Sequence, residues 1–98
     1  MPPHAPIIAT ITFNKKFKRD MKGLEPDVLA ATKEAIRDLY KYPIPKVRRL
    51  HSLTGYKNPK VFTVDVFSNK SYKISLEIDA GAAILRRVAT HKEIDVLP

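Results

Sequence analysis

The sequence predicts an α+β domain in which two N-terminal helices pack on a curved antiparallel sheet, in the order β-α-α-(β)-β-β-β. Three observations predict it. Apolar residues recur at helical spacing in the first half of the chain, they alternate with polar residues in the second half, and prolines and turn residues separate the segments. A length of 98 residues suits one hydrophobic core, so residues 1–98 are expected to form a single domain, with residues 1–6 as a mobile lead-in.

Ile7-Ile8-Ala9-Thr10-Ile11-Thr12 is short, rich in β-branched side chains and preceded by prolines, which predicts a first strand. Phe13, Phe17, Met21 and Leu24 then fall on one helical stripe, Lys15, Lys16, Lys18, Arg19 and Lys22 cover the rest, and Gly23 marks the end. Pro26 suits the first turn of a second helix, where its missing N–H has no intrahelical partner, and Asp27 adds negative charge at the positive dipole end. Val28, Ala31, Ala35, Leu39 and Tyr42 form the apolar stripe of that helix, with Ile36 beside it, until Pro43 and Pro45 forbid continuation. Residues 43–59 make a basic, proline-punctuated connection, part of which can pair as a strand.

Beyond it the period changes to two. Phe62, Val64 and Val66 alternate with Thr63 and Asp65, residues 68–71 turn, and Tyr72, Ile74, Leu76 and Ile78 alternate with Lys73, Ser75 and Glu77. Asp79-Ala80-Gly81 makes a second tight turn before a third strand over residues 82–90, and residues 91–95 read as a short helical turn.

Composition narrows the function. Absence of cysteine removes disulfides and thiolate chemistry, and no apolar run approaches the roughly 18 residues of a membrane helix, so a cytoplasmic protein that needs no membrane is expected. Three glycines leave no phosphate-binding loop, and scattered histidines at 4, 51 and 91 offer no metal-ligand spacing; neither cofactor nor metal is expected. Eighteen basic against ten acidic residues give a net charge of +8, and residues 1–60 alone hold thirteen basic and five acidic side chains. Such an excess favours a polyanion, and nucleic acid suits it best. Lys15, Lys16, Lys18, Arg19, Lys22, Arg48, Arg49 and Lys57 are the candidate contacts.

A basic surface with two internal histidines is sufficient for metal-free RNA cleavage. The 2′-hydroxyl attacks its adjacent phosphate, a base removes its proton, cations stabilise the phosphorane, and an acid protonates the leaving 5′-oxygen. Histidine serves either proton role because its ordinary pKa, about 6.5, lies near neutrality. His91 follows the last strand and His51 lies in the basic connection; His4 is given no role. Arg86 and Arg87 are adjacent on a strand, so regular alternation points them to opposite faces, and Arg87 shares a face with His91 if the strand is unbroken through Thr90. Lys73 belongs to the polar set of its strand and is available to phosphate if that face is open, and Tyr56 could stack on a base.

The order of elements, His51-Ser52-Leu53-Thr54-Gly55 before the meander, and Arg86-Arg87-Val88-Ala89-Thr90-His91 at its end resemble toxins of the RelE/ParE superfamily, nearest to the YafQ-like mRNA interferases. That resemblance implies a type II toxin that enters the ribosomal A site and cleaves mRNA as an endoribonuclease. A cognate antitoxin silences it, so the toxin is a monomer alone or part of a toxin–antitoxin complex. It implies catalytic roles for His51 and His91, with Lys57, Lys73 and Arg87 on the RNA. The chain departs from YafQ-like members on the middle strand, where Asp65 is the one plausible acid and a further histidine is missing, and near the C-terminus, where Asp95-Val96-Leu97-Pro98 holds no aromatic residue. The alternatives are a ParE-like DNA gyrase inhibitor and a catalytically inactive RelE-fold module that binds an antitoxin.

Overall fold

The computed structural model describes residues 7–57 and 59–98, so the expected lead-in at residues 1–6, with His4, lies outside the described residues. Strand β1 (Thr10–Phe13) leads into helices α1 (Lys15–Lys22) and α2 (Pro26–Leu39), and a 3-10 turn at Lys46–Arg48 follows. Strands β2 (His51–Lys57), β3 (Lys60–Asp65), β4 (Tyr72–Asp79) and β5 (Ala82–Thr90) precede helix α3 (His91–Val96). The five strands form one sheet in the order β1-β5-β4-β3-β2.

The α+β class and the helical hairpin are as the sequence predicts. The sheet, however, is mixed, because β1 runs parallel to β5 with Thr10 opposite Ala82 and Phe13 opposite Leu85. A parallel pair needs a long crossover, and residues 14–81, with both helices, provide it. The first strand also starts later than its β-branched run. Ile8 is buried in the core while Ile7 is exposed, and the backbone is first tied down where the N–H groups of Ala9 and Thr10 both donate to the carbonyl of Gly81.

Phe13 belongs to β1 rather than to the stripe of α1, although its ring still packs on Phe17 with centroids 5.1 Å apart. The reason is Asn14. Its side-chain oxygen accepts the Phe17 N–H at 2.8 Å, which caps α1 and fixes where the helix begins. Asn14→Ala is expected to cost about 1 kcal/mol, read as a lower urea midpoint at unchanged m-value. Helix α2 stops at Leu39, short of Tyr42, and part of the basic connection does pair: His51 and Ser52 lie opposite Thr63 and Phe62. At the β4–β5 turn Ala80 and Gly81 both adopt positive φ, the geometry a two-residue hairpin needs. Thr90 caps α3 by accepting the Glu93 N–H while its hydroxyl donates to the Glu93 carboxylate.

Two faces result. Ile8, Phe17, Ala35 and Leu39 cover Val64, Ile74, Leu76, Leu85 and Val88 on one side, and this is the main core. Val61, Thr63, Asp65, Lys73, Ser75, Glu77 and Ala89 alternate with those sheet residues and point to the other side, where α3 packs on β4 and β5 and buries Ile94. No helix of the described residues is long and apolar enough to cross a membrane.

Candidate functional site

The register of the last two strands changes the reading of Arg86 and Arg87. Ser75 lies opposite Arg87 but Leu76 lies opposite Leu85, so Arg86 is an extra residue in β5. An inserted residue breaks the alternation of side chains. Leu85 and Val88 both remain in the core, and the two arginines between them border the same cleft. The expectation that they occupy opposite faces is therefore corrected.

That cleft has a volume of about 470 Å³. It is lined by Lys16, Arg19 and Asp20 of α1, by Arg86 and Arg87 of β5, and by Tyr56, Val96, Leu97 and Pro98. A smaller adjoining recess adds Asn14 and Lys15. Four cationic side chains face one acidic side chain, so the lining side chains carry a positive excess, and an aromatic stands at the border. Each arginine is held by an acid: Arg86 pairs with Glu77 of β4, and Arg87 makes a two-pronged contact with Asp20, both distances 3.0 Å. The Asp20 carboxylate raises the Arg87 guanidinium above its already high ordinary pKa, against the opposing effect of burial.

The chain also leaves β5 with a partial edge. β1 covers residues 82–85, and beyond them α1 lies against the strand: Asp20 accepts the Val88 N–H at 3.1 Å. Sequence reasoning missed Asp20. Its signal was present, since it is the one acid among the five cations of α1.

Cross-strand pairing places His51, Thr63, Ser75 and Arg87 in one row across β2, β3, β4 and β5. Thr63 and Ser75 are fully buried, so the row is closed at its middle, and its ends are three strand spacings apart, roughly 14 Å. His51 is exposed and its Nδ1 lies 2.8 Å from the Arg49 carbonyl. A carbonyl only accepts, so Nδ1 carries the proton, and Nε2 of the neutral ring is left to accept from the Thr63 hydroxyl at 3.3 Å. Arg49, in the left-handed region at φ 52°, turns that carbonyl toward the ring.

Asp65 and Lys73 are brought together, but inside. They face each other across β3 and β4, both buried, with Lys73 Nζ 3.9 Å from Asp65 Oδ1 and Arg49 Nε 3.4 Å from Oδ2. Lys73 is thereby withdrawn from phosphate, which corrects its expected exposure; an ammonium with 9% side-chain exposure beside a carboxylate is bound to its partner. Arg48 is corrected in the same way. Its Nε donates to Asp38 at 2.8 Å and its Nη1 to the carbonyls of Val66 and Asp65 at 2.8 and 3.2 Å, so it holds α2 to the end of β3 and is not part of the basic surface.

β5 does extend through Thr90, and the His91 N–H continues the ladder to the Ser71 carbonyl. The His91 ring nevertheless turns to its own helix, with Nε2 2.7 Å from Asp95 Oδ2, and lies outside the lining of the arginine cleft. Of the remaining basic candidates, Lys15, Lys16, Lys18, Arg19 and Lys22 are exposed along α1, Arg49 is exposed beside Asp65, and Lys57 is exposed at the end of β2.

The bulge brings both arginines to one cleft, so the RNA contact that the basic composition leads one to expect predicts weaker single-stranded RNA binding by Arg86→Ala and by Arg87→Ala. Each should flatten the salt dependence of log affinity by about 0.7 units of slope. A wild-type slope from folded Arg86→Ala would make Arg86 part of the scaffold, held by Glu77.

No protein-family model and no curated protein matches the chain. Solved structures do. The RelB–RelE antitoxin–toxin complex from Methanococcus jannaschii aligns at TM-score 0.67 and 25% identity, over 89% of this chain and 99% of that one. YafQ from E. coli strain BL21(DE3) aligns at TM-score 0.63 and 15% identity, over 86% of this chain and 94% of that one. The E. coli DinJ–YafQ complex aligns at TM-score 0.62 and 16% identity with the same coverage. With a five-stranded mixed sheet, an N-terminal helical hairpin and a short C-terminal helix matched over most of its length, the chain has the RelE-like toxin fold.

Proposed function

We propose that this protein is the toxin of a toxin–antitoxin pair and that it acts in the cytoplasm as a ribosome-dependent mRNA endonuclease, inhibiting translation from the ribosomal A site. The observation that carries the reading is the cleft whose lining side chains carry a positive excess, bordered by Arg86, Arg87, Lys16, Arg19 and Tyr56, on a RelE-like fold. The antitoxin partner is supported by the solved neighbours that are complexes, RelB with RelE and DinJ with YafQ. An acidic antitoxin segment would be steered to the exposed lysines of α1 and neutralise them.

For the chemistry, His51 is fitted to the base by its unprotonated Nε2, which accepts the 3.3 Å contact from the Thr63 hydroxyl, and His91 is left for the acid that protonates the 5′-oxygen. Attack by the 2′-oxygen breaks the P–O5′ bond and leaves a 2′,3′-cyclic phosphate and a 5′-hydroxyl end. Arg87 supplies phosphate-binding charge from the cleft. Asp65 acts as a buried counterion to Arg49 and Lys73 rather than as the acid.

One observation favours a second reading, a module that binds ribosome or antitoxin without cleaving. His51 and Arg87 stand at opposite ends of a row whose middle is buried, so no single phosphate meets both in this conformation. Primer extension on a message translated in vitro with the purified protein separates the two. New 5′ ends inside codons support the nuclease, slowed translation on intact message supports the binding module, and cleaved DNA accumulating with gyrase present would point to a gyrase inhibitor.

A further inference from the structure

Asp20 is the anomaly of the cleft. Plain Coulomb attraction is weakened by a carboxylate among the cations that would meet an anion, yet Asp20 sits there with its side chain largely covered. Its geometry supplies a reason. A guanidinium presents two bidentate edges. Asp20 takes one of them, with Oδ2 3.0 Å from Nε and Oδ1 3.0 Å from Nη2. The other edge carries Nη1, whose partner is the Leu97 carbonyl at 3.4 Å, a long contact at the cleft border.

On the reading that this cleft takes RNA, we infer that Asp20 is a positioning residue, holding Arg87 by one guanidinium edge so that the other edge is set to receive an RNA phosphate. The anchor is itself tied to the sheet, because Asp20 Oδ2 also accepts the Val88 N–H at 3.1 Å. Arg87 follows the inserted Arg86 directly within β5, where regular alternation is interrupted, and the contact from α1 holds its guanidinium in place. An arginine ordered before its ligand arrives loses less rotamer freedom on binding. A phosphate would replace the Leu97 carbonyl with a charged, two-pronged acceptor.

The sign of the effect tests this. The probe is an oligodeoxythymidylate, which lacks a 2′-hydroxyl and cannot be cleaved, and the full chain is titrated at fixed salt. Arg87→Ala is expected to weaken binding about 10-fold and Asp20→Asn about 5-fold, while the double variant binds no more weakly than Arg87→Ala alone. Removal of a negative charge acting only through Coulomb's law would tighten binding, and a purely structural role would weaken it equally with and without the Arg87 side chain. Either outcome overturns the inference. Asn keeps an oxygen for the Val88 N–H; if Asp20→Asn does not fold, Arg87→Lys takes its place. It keeps the charge but not the second edge, so it should bind about as weakly as Arg87→Ala, within about 2-fold. Wild-type affinity in Arg87→Lys would overturn the inference. Message cleavage is read separately: a wild-type chain that binds but does not cleave rejects the nuclease and leaves the Asp20 cycle standing, whereas one that does not bind the probe rejects both.

Discussion

His91→Ala is expected to lower message cleavage by about 10²-fold or more, the usual scale for a lost general acid or base, while leaving the fold intact. The ring is about half exposed and its partner Asp95 equally so, and an exposed i,i+4 pair is worth under about 1 kcal/mol. It stands at the first position of α3, where a positive charge opposes the helix dipole, so losing it does not weaken the helix. The backbone N–H that ties this residue to Ser71 is retained in alanine. Single-turnover cleavage on translating ribosomes, with a melting curve of the same preparation, measures both halves of the prediction. Wild-type cleavage by a folded variant removes His91 from the chemistry. His51→Ala is the parallel measurement, and a loss from both variants, each folded, would show that two histidines on separate elements serve one reaction.

How much of this was legible in the sequence depends on the range over which each feature is set. The hairpin of α1 and α2 and the β3–β4–β5 meander follow from local periodicity, and each is present. Pairing between distant segments is invisible to periodicity. Nothing within residues 7–13 says that β1 will run parallel beside β5, or that Arg86 will be an inserted residue, since a bulge is a relation between two strands. Lys73 and Arg48 show the same limit for charges. Alternation correctly puts Lys73 on the polar face, but only the packing of neighbouring elements buries it, and only tertiary contact turns Arg48 from a surface cation into a strut. Exposed positions on α1 were readable because helical spacing alone decides which of its residues face water.

Arg48→Ala should produce the largest loss of stability, about 3 to 5 kcal/mol, the range found when one partner of a buried ion pair is removed. Its guanidinium donates to the Asp38 carboxylate and to two carbonyls at the end of β3, and the residue is buried, so deletion removes all three contacts and leaves Asp38 with Lys41. Against a total stability typically of about 5 to 15 kcal/mol, the variant should sit near its unfolding threshold. Replacing both partners with apolar residues should recover part of the loss but not all, because the contacts to the Asp65 and Val66 carbonyls are not restored. The pH dependence follows from Asp38. Lys41 and then Arg48 hold its carboxyl below the ordinary value of 3.8, against burial, which pushes it up. A carboxyl with a depressed folded-state pKa contributes stability that is fully present above its unfolded value and is lost as pH falls through the folded one. The wild type should therefore lose stability below about pH 4, and Arg48→Ala should lose somewhat less over that interval, because the Arg48 contact is gone while Lys41, the larger of the two influences on Asp38, stays in place. Urea midpoints at pH 7 and pH 3 for the two proteins measure this. A cost under about 1 kcal/mol at pH 7 would mean that Arg48 is not holding α2 to the sheet and belongs with the cations available to a polyanion, and an acid-side loss larger in Arg48→Ala than in the wild type would mean that Arg48 does not lower the Asp38 carboxyl.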